Sequence, residues 1–358
     1  MNELTLNLDT YPAYVYDLPG LADHVATIRT ALGSTELFYA AKANPDAEVL
    51  RVLAPHVDGI EVSSGGEFAH VRETLPDKPL AFGGPGKTPE ELRLALSADR
   101  IHVESPNELR QLAALGPADI LLRANLPLST PNAALAMSGP FGMDEDALNG
   151  CARLLADNRH LVLRGVHAHL ASGLDAATLL DLAHRIADWA LPWLKSHGVD
   201  EPELNVGGGM AVDYTSPDTL FDWRSYGTGL ASIPARVRIE PGRAMTAYHG
   251  WYVTDVLDVK TTRGETYVIL RGGTHHLRTP ATKGHNQPFK VLTATGPESP
   301  ATLVGQLCTP KDVFARDVLV PPLAPGDVLA FTMAGAYAWN ISHHDFLMHP
   351  KPAFHYLR

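Results

Sequence analysis

The chain has 358 residues, 45% hydrophobic and 19% charged, enough for two domains and a sizeable core, with no disordered tail. Its formal net charge of −11 argues against nucleic acid or an anionic membrane as a partner, though basic residues gathered in one pocket would still admit an anionic substrate. Two cysteines, Cys151 and Cys308, give no disulfide framework; with neither a secretory leader nor a membrane-length apolar run in view, the expected compartment is the cytoplasm.

From residue 37 onward, short apolar runs alternate with longer helix-like stretches. The runs cover 37–44, 59–64, 79–83, 100–105, 119–125, 163–170, 203–208 and 237–240. Amphipathic segments such as 89–98, 107–115 and 177–197 lie between them. This alternation predicts a (β/α)8 TIM barrel over residues 11–245, a fold whose chemistry gathers at the C-terminal strand ends. After Arg243 the texture changes. Segments 251–259 and 266–270 flank Thr261-Thr262-Arg263-Gly264-Glu265 as a β-hairpin, and a Pro/Gly turn at 322–326 precedes a strand at 327–333. Residues 246–358 are read as a C-terminal β-sandwich or barrel domain, to which residues 1–10 add a strand.

The unusual residues close runs and open none. Lys42, in Ala41-Lys42-Ala43-Asn44, ends the first. An ammonium at a buried strand end is costly unless paired, neutralised or used covalently, and in an apolar pocket its amine becomes a nucleophile for a carbonyl cofactor. Gly207-Gly208-Gly209 leaves backbone N–H groups able to cradle a phosphate, or is simply a flexible turn. Arg243 on the next loop favours the phosphate, which barrels often hold after strands seven and eight. Glu240 suits the ring nitrogen of a pyridine, which it would hold protonated, or a salt bridge to Arg243 or Arg238. His169 suits a place over a cofactor ring, or is an ordinary hydrogen-bonded histidine. Cys151 reads as small filler, and no metal cluster has ligand spacing; His343-His344-Asp345 is too compact.

Ala41–Asn44, Ser64-Gly65-Gly66-Glu67, His169–Gly173, Gly207–Gly209, Glu240–Arg243, Gly305–Cys308 and Gly335–Tyr337 occur in that order. Together they resemble the fold type III (alanine-racemase-like) pyridoxal-phosphate decarboxylases, the group of diaminopimelate and ornithine decarboxylases, from Tyr14 to Tyr337. The resemblance implies that pyridoxal 5′-phosphate is held covalently by Lys42, stacked under His169 and paired at its ring nitrogen with Glu240. Its phosphate would be held by Ser172, Gly208, Gly209, Gly242, Arg243 and Tyr337. Cys308 would reprotonate the α-carbon, and Arg278, Cys308, Thr309 and Tyr337 would help bind substrate. The implied assembly is a homodimer in which Cys308 and Tyr337 reach in from the second subunit.

Departures from the family pattern bear on substrate. Thr309 follows Cys308 where those decarboxylases place an acid for a distal ammonium, and a hydroxyl cannot supply that charge. His275, His276, Arg278, Lys283, His285 and Lys311 are expected near the mouth and suit an anionic distal end. The stretches around His275, His285, Cys308 and Ala336–His343 resemble the branch serving carboxylate-siderophore biosynthesis. That branch decarboxylates an amino acid already joined to citrate, of the citryl-diaminopropionate or citryl-serine type. Glu61 stands where the family often has aspartate, and no role is carried onto it. The alternatives are a decarboxylase of free diaminopimelate, ornithine or lysine, an amino-acid racemase, and a non-catalytic homologue. A racemase of this fold places an arginine at the ring nitrogen, so Glu240 disfavours it; Lys42, Glu240 and Cys308 together disfavour a non-catalytic protein.

Overall fold

The computed structural model of the chain describes residues 8–130, 133–137, 139–278 and 285–358. The chain divides into two compact units. One is formed by Ala22–Val212 with Phe221–Met245; the other takes the segment through Leu21, then Asp213–Leu220, and everything from Thr246 onward.

Strand β1 (Ala13–Asp17) belongs to the second unit. The first unit holds β2 (Glu36–Ala40), β3 (Gly59–Val62), β4 (Leu80–Phe82), β5 (Arg100–Val103), β6 (Ala118–Arg123) and β7 (Leu135–Ala136). There follow β8 (Leu161–His167), β9 (Ala171–Ser172), β10 (Glu203–Asn205) and β11 (Arg236–Ile239). All but β7 and β9 pair in parallel and close a barrel in the order β10-β11-β2-β3-β4-β5-β6-β8, and each expected run supplies one strand. Such strands are covered on both faces and therefore read as continuous apolar runs; Leu37, Phe38, Tyr39 and Ala40 of β2 are all buried. The short pair β7–β9 is antiparallel and stands apart.

Polar caps end the loops that lead from strand to helix. Asp46, Ser64, Thr88, Ser105, Asp144, Asp175 and Asp222 each accept a backbone N–H from the first turn of the helix that follows. Thr88 and Glu91 complete a reciprocal capping box, with Pro89 just inside the helix. The Ser64–Glu67 motif is also partly a helix start. Ser64 Oγ accepts from Glu67 N–H at 3.1 Å, and the Glu67 carboxylate accepts from Ser63 N–H at 2.8 Å.

The barrel closes where β11 meets β2, with Arg238 opposite Glu36 and Ile239 opposite Leu37. At the lower end of this seam Arg238 donates to Glu36 at 2.7 and 2.9 Å. At its upper end the Ala40 N–H donates to the Pro241 carbonyl at 3.1 Å.

The second unit is a sheet of β1 with β12 (Gly250–Thr262), β13 (Glu265–Leu270), β14 (Phe289–Val291), β15 (Ser299–Val304), β16 (Val313–Val320), β17 (Val328–Phe331) and β18 (Ala353–Leu357). Val15, Trp251, Val253, Val328 and Ala330 form one of its cores. The expected hairpin is β12–β13, turned by Arg263 and Gly264, both at positive φ (55° and 83°) as a two-residue primed turn requires.

The strand expected from residues 1–10 lies mostly outside the described residues, which begin at Leu8; residues 8–10 carry no strand, and the first described strand is β1, pairing with β12 and β18. Residues 11–21 therefore group with the β sheet and not with the barrel, because the buried run Ala13–Tyr16 finds its hydrogen-bond partners there.

Candidate active site

The C-terminal ends of the barrel strands bring one set of side chains together. Lys42 sits in a single 3-10 turn, Ala41–Ala43, directly after β2, and its amine donates to Glu61 of β3. The expectation of an apolar pocket is corrected here. The Lys42 side chain is 45% exposed and Glu61 is the buried member at 6%, because the turn lifts the amine off the strand into the barrel mouth. Glu61 also accepts from the Ser63 hydroxyl at 2.8 Å, so the position left without a role is a built anchor for the lysine.

His169 follows β8 by two residues. Its Nε2 lies 3.4 Å from Ser172 Oγ, and its buried Nδ1 has no protein partner. Burial first, then the nearby Lys42 and Arg123 cations, push its pKa down to about 3 against an opposing pull from Glu61, so the imidazole is neutral. Its place depends on glycine: a Cβ at Gly207 would stand 2.6 Å from the His169 ring. A Cβ at Gly208 would meet the Glu240 carbonyl oxygen at 2.5 Å, and one at Gly209 would meet the Ala171 carbonyl oxygen at 2.4 Å. Positions 208 and 209 thus present bare backbone. Gly209 also holds φ at +99° and accepts N–H bonds from Gly173 and Leu174 through its carbonyl.

Glu240 directly follows β11, buried, and does not pair with Arg238, which is taken by Glu36. Its neighbours are uncharged. Asn205 Nδ2 donates to Oε1 at 2.7 Å, His102 Nε2 stands 3.7 Å from Oε1, and His167 Nε2 stands 3.4 Å from Oε2. The two imidazoles stack with centroids 4.3 Å apart, and burial holds both well below the usual histidine range. Sequence spacing shows no metal set, yet the fold brings ligand atoms of His102, His167 and Glu240 within 4.8 Å of one another from three strands. The only sequence signal for this group is a polar residue within an apolar strand, as in Ile101-His102-Val103. Arg243 opens a short helix, Arg243–Thr246, after the Gly242 turn.

The remaining expected residues belong to the sheet unit. Cys308 is exposed in the Gly305–Asp312 turn, where Thr309 N–H donates to the Leu307 carbonyl at 2.8 Å. Asp312 pins that turn by accepting N–H bonds from Leu307 at 2.8 Å and Thr274 at 2.6 Å. Tyr337 is partly buried at φ +48°, and Arg278 and Lys311 are exposed. Lys283 lies outside the described residues. His285 stacks on Tyr214 at 5.2 Å. His275 and His276 are corrected: both are buried, with pKa values of about 4 and about 3 set by burial and neighbouring histidines, so neither offers charge to an anion at neutral pH.

A sequence model of the pyridoxal-dependent decarboxylases, pyridoxal binding domain, matches residues 20–247. The chain belongs to this family. It is 40% identical to the Staphylococcus aureus 2-[(L-alanin-3-ylcarbamoyl)methyl]-2-hydroxybutanedioate decarboxylase, over 96% of this chain and 93% of that one. It is 29% identical to the L-glutamyl-[BtrI acyl-carrier protein] decarboxylase of Niallia circulans, over 98% of this chain and 89% of the other. Among solved structures, the diaminopimelate decarboxylase of Helicobacter pylori complexed with L-lysine superposes with a TM-score of 0.89 at 25% identity, covering 98% and 92% of the two chains. The protein is therefore a pyridoxal-phosphate-dependent decarboxylase, a carboxy-lyase.

The barrel site fits that cofactor. It offers an accessible primary amine at Lys42, a bare glycine turn for a phosphate, a neutral ring at His169 with an unpartnered buried nitrogen, and a buried carboxylate at Glu240. Among the described residues no helix is long and apolar enough to cross a membrane.

Proposed function

We propose that the enzyme decarboxylates an amino acid already conjugated to a polycarboxylate, of the citryl-diaminopropionate or citryl-serine type, as in carboxylate-siderophore biosynthesis. The observation that carries this reading is Thr309. It leaves the residue after Cys308 without charge, and a distal ammonium buried there unpaired would cost several kcal/mol. Exposed Arg278 and Lys311 on the same unit offer the opposite sign, Arg278 with a bidentate fork. Two relatives support the class: one acts on an alanine joined at its third carbon through a carbamoylmethyl link to 2-hydroxybutanedioate, the other on a glutamyl group attached to a carrier protein.

In this reading Lys42 holds the cofactor through its amine, and Glu61 orients that amine and accepts its proton. Gly208, Gly209, Ser172, Gly242, Arg243 and Tyr337 receive the phosphate, His169 lies against the ring and Glu240 faces the ring nitrogen. The bound cofactor supplies an electron sink for the pair left when carbon dioxide departs. Cys308, contributed with Tyr337 by a second copy of the chain in a homodimer, returns a proton to Cα. Two free thiols suit a reducing, cytoplasmic setting.

Carbon dioxide release from a citryl-diaminopropionate conjugate, set against free diaminopimelate, ornithine and lysine, tests the substrate. Turnover of the conjugate with at least tenfold preference is expected; efficient turnover of a free diamino acid alone would refute the reading.

A further inference from the structure

Asn205, fully buried on β10, touches both ends of the candidate cofactor site. Its amide has one orientation that satisfies its neighbours. The Gly207 N–H donates to Oδ1 at 2.9 Å, which turns the –NH2 toward Glu240 Oε1 at 2.7 Å. The same Nδ2 lies 3.4 Å from His102 Nε2, so that ring nitrogen accepts and His102 carries its proton on Nδ1. His167 Nε2 lies 3.4 Å from Oε2 without a hydrogen bond between them. Asn205 Nδ2 thus already occupies His102 Nε2 and one lone pair of Glu240 Oε1, two of the atoms a metal ion would have to share.

We propose that Asn205, seated against His102, is a positioning residue that ties the carboxylate at the ring-nitrogen end of the site to the glycine turn at its phosphate end. The proposal rests on the assignment of Glu240 to the ring nitrogen and of Gly207–Gly209 to the phosphate. One amide fixes both: its oxygen holds the first N–H of the glycine turn and its nitrogen sets the Glu240 rotamer. The stacked, uncharged histidines pack behind it and bring no cation to compete for Glu240. A rigid strut of this kind sets the separation of two anchors for one rigid ligand, where a displacement of about 1 Å is enough to cost affinity and rate.

The test uses full-length apoenzyme reconstituted with pyridoxal phosphate, read by equilibrium binding, by the absorption spectrum of the bound cofactor and by inorganic phosphate binding to the apoenzyme. Asn205→Asp keeps an oxygen for Gly207 N–H but turns a second oxygen onto Glu240; Asn205→Ala removes both contacts. Each is expected to weaken pyridoxal phosphate on the order of tenfold and to shift its absorption band. Asn205→Ala is expected to weaken inorganic phosphate as well, which Glu240→Gln leaves unchanged. In the Glu240→Gln background, Asn205→Ala should weaken pyridoxal phosphate only by the factor it costs inorganic phosphate, because the ring-nitrogen share is already lost. Should Asn205→Ala not fold, Asn205→Asp carries the test. Folded Asn205 variants that bind with unchanged affinity and spectrum, or whose full effect multiplies that of Glu240→Gln, overturn the proposal. If Glu240→Gln itself leaves affinity and spectrum unchanged, the ring-nitrogen assignment fails and the strut with it.

Discussion

Lys42 is the least protected of the barrel site's polar groups, and its exposure shapes how it can be tested. Its amine reaches solvent while its partner Glu61 does not, so a cofactor can reach it without opening the barrel. Borohydride reduction of the reconstituted enzyme should abolish the visible band and leave the label on Lys42; a label on another lysine would rule the assignment out. Glu61→Gln should keep the fold, retain the amine and slow cofactor loading several-fold, since a neutral amide no longer takes up the ammonium proton. Cys308→Ala concerns the other unit. It should lower the yield of the amine product and raise an aldehyde by-product, the nitrogen of which passes to the cofactor, while the resting enzyme keeps its cofactor absorbance before substrate is added; unaltered product would remove Cys308 from proton return. Lys42, His169 and Glu240 are legible in the sequence because each breaks an apolar run at its end. His102, His167 and Asn205 are not, since each stands within a strand and meaning comes only from the barrel closing around them.

Among the elements, the barrel strands are the most legible, because two-sided burial writes them as uninterrupted apolar runs. The sheet of the second unit is less so. Strand β15 has register shifts near Ala301 and Leu303, and β16 carries Asp317 at φ +50°, so neither keeps a strict period of two. The glycine turn after β10 belongs to the same scale. Gly209→Ala must accommodate both a left-handed φ and a methyl aimed at a carbonyl oxygen, which places its cost at about 1–3 kcal/mol. A fall in melting temperature together with weaker phosphate binding is the expected result, and a variant that loses neither would show the turn to be slack.

At the scale of the whole molecule, six histidines among the described residues sit below their usual range: His24, His102, His167, His169, His275 and His276. Burial keeps them neutral in the fold, whereas in the unfolded chain they take a proton near pH 6.5. The unfolded state thus binds more protons below that pH, and the stability these groups contribute is present above pH 6.5 and lost as pH falls toward their folded values. Each can contribute up to about 1.4 kcal/mol per pH unit in that window. Melting temperatures of the apoenzyme measured from pH 7.5 to 5 should fall steadily below pH 6.5, before most carboxylates titrate. A flat profile down to pH 5 would mean that these imidazoles are charged or exposed.

The seam between β2 and β11 has a consequence for the order of events during synthesis. Lys42 stands beside the first barrel strand to leave the ribosome and Glu240 beside the last, joined by the hydrogen bond from Ala40 to Pro241. A nascent chain that ends before β11 owns the amine but lacks the carboxylate and the edge that completes the ring. Cofactor captured in the assembled site therefore stabilises only the closed ring by mass action, and its arrival serves as a certificate that the barrel has been finished.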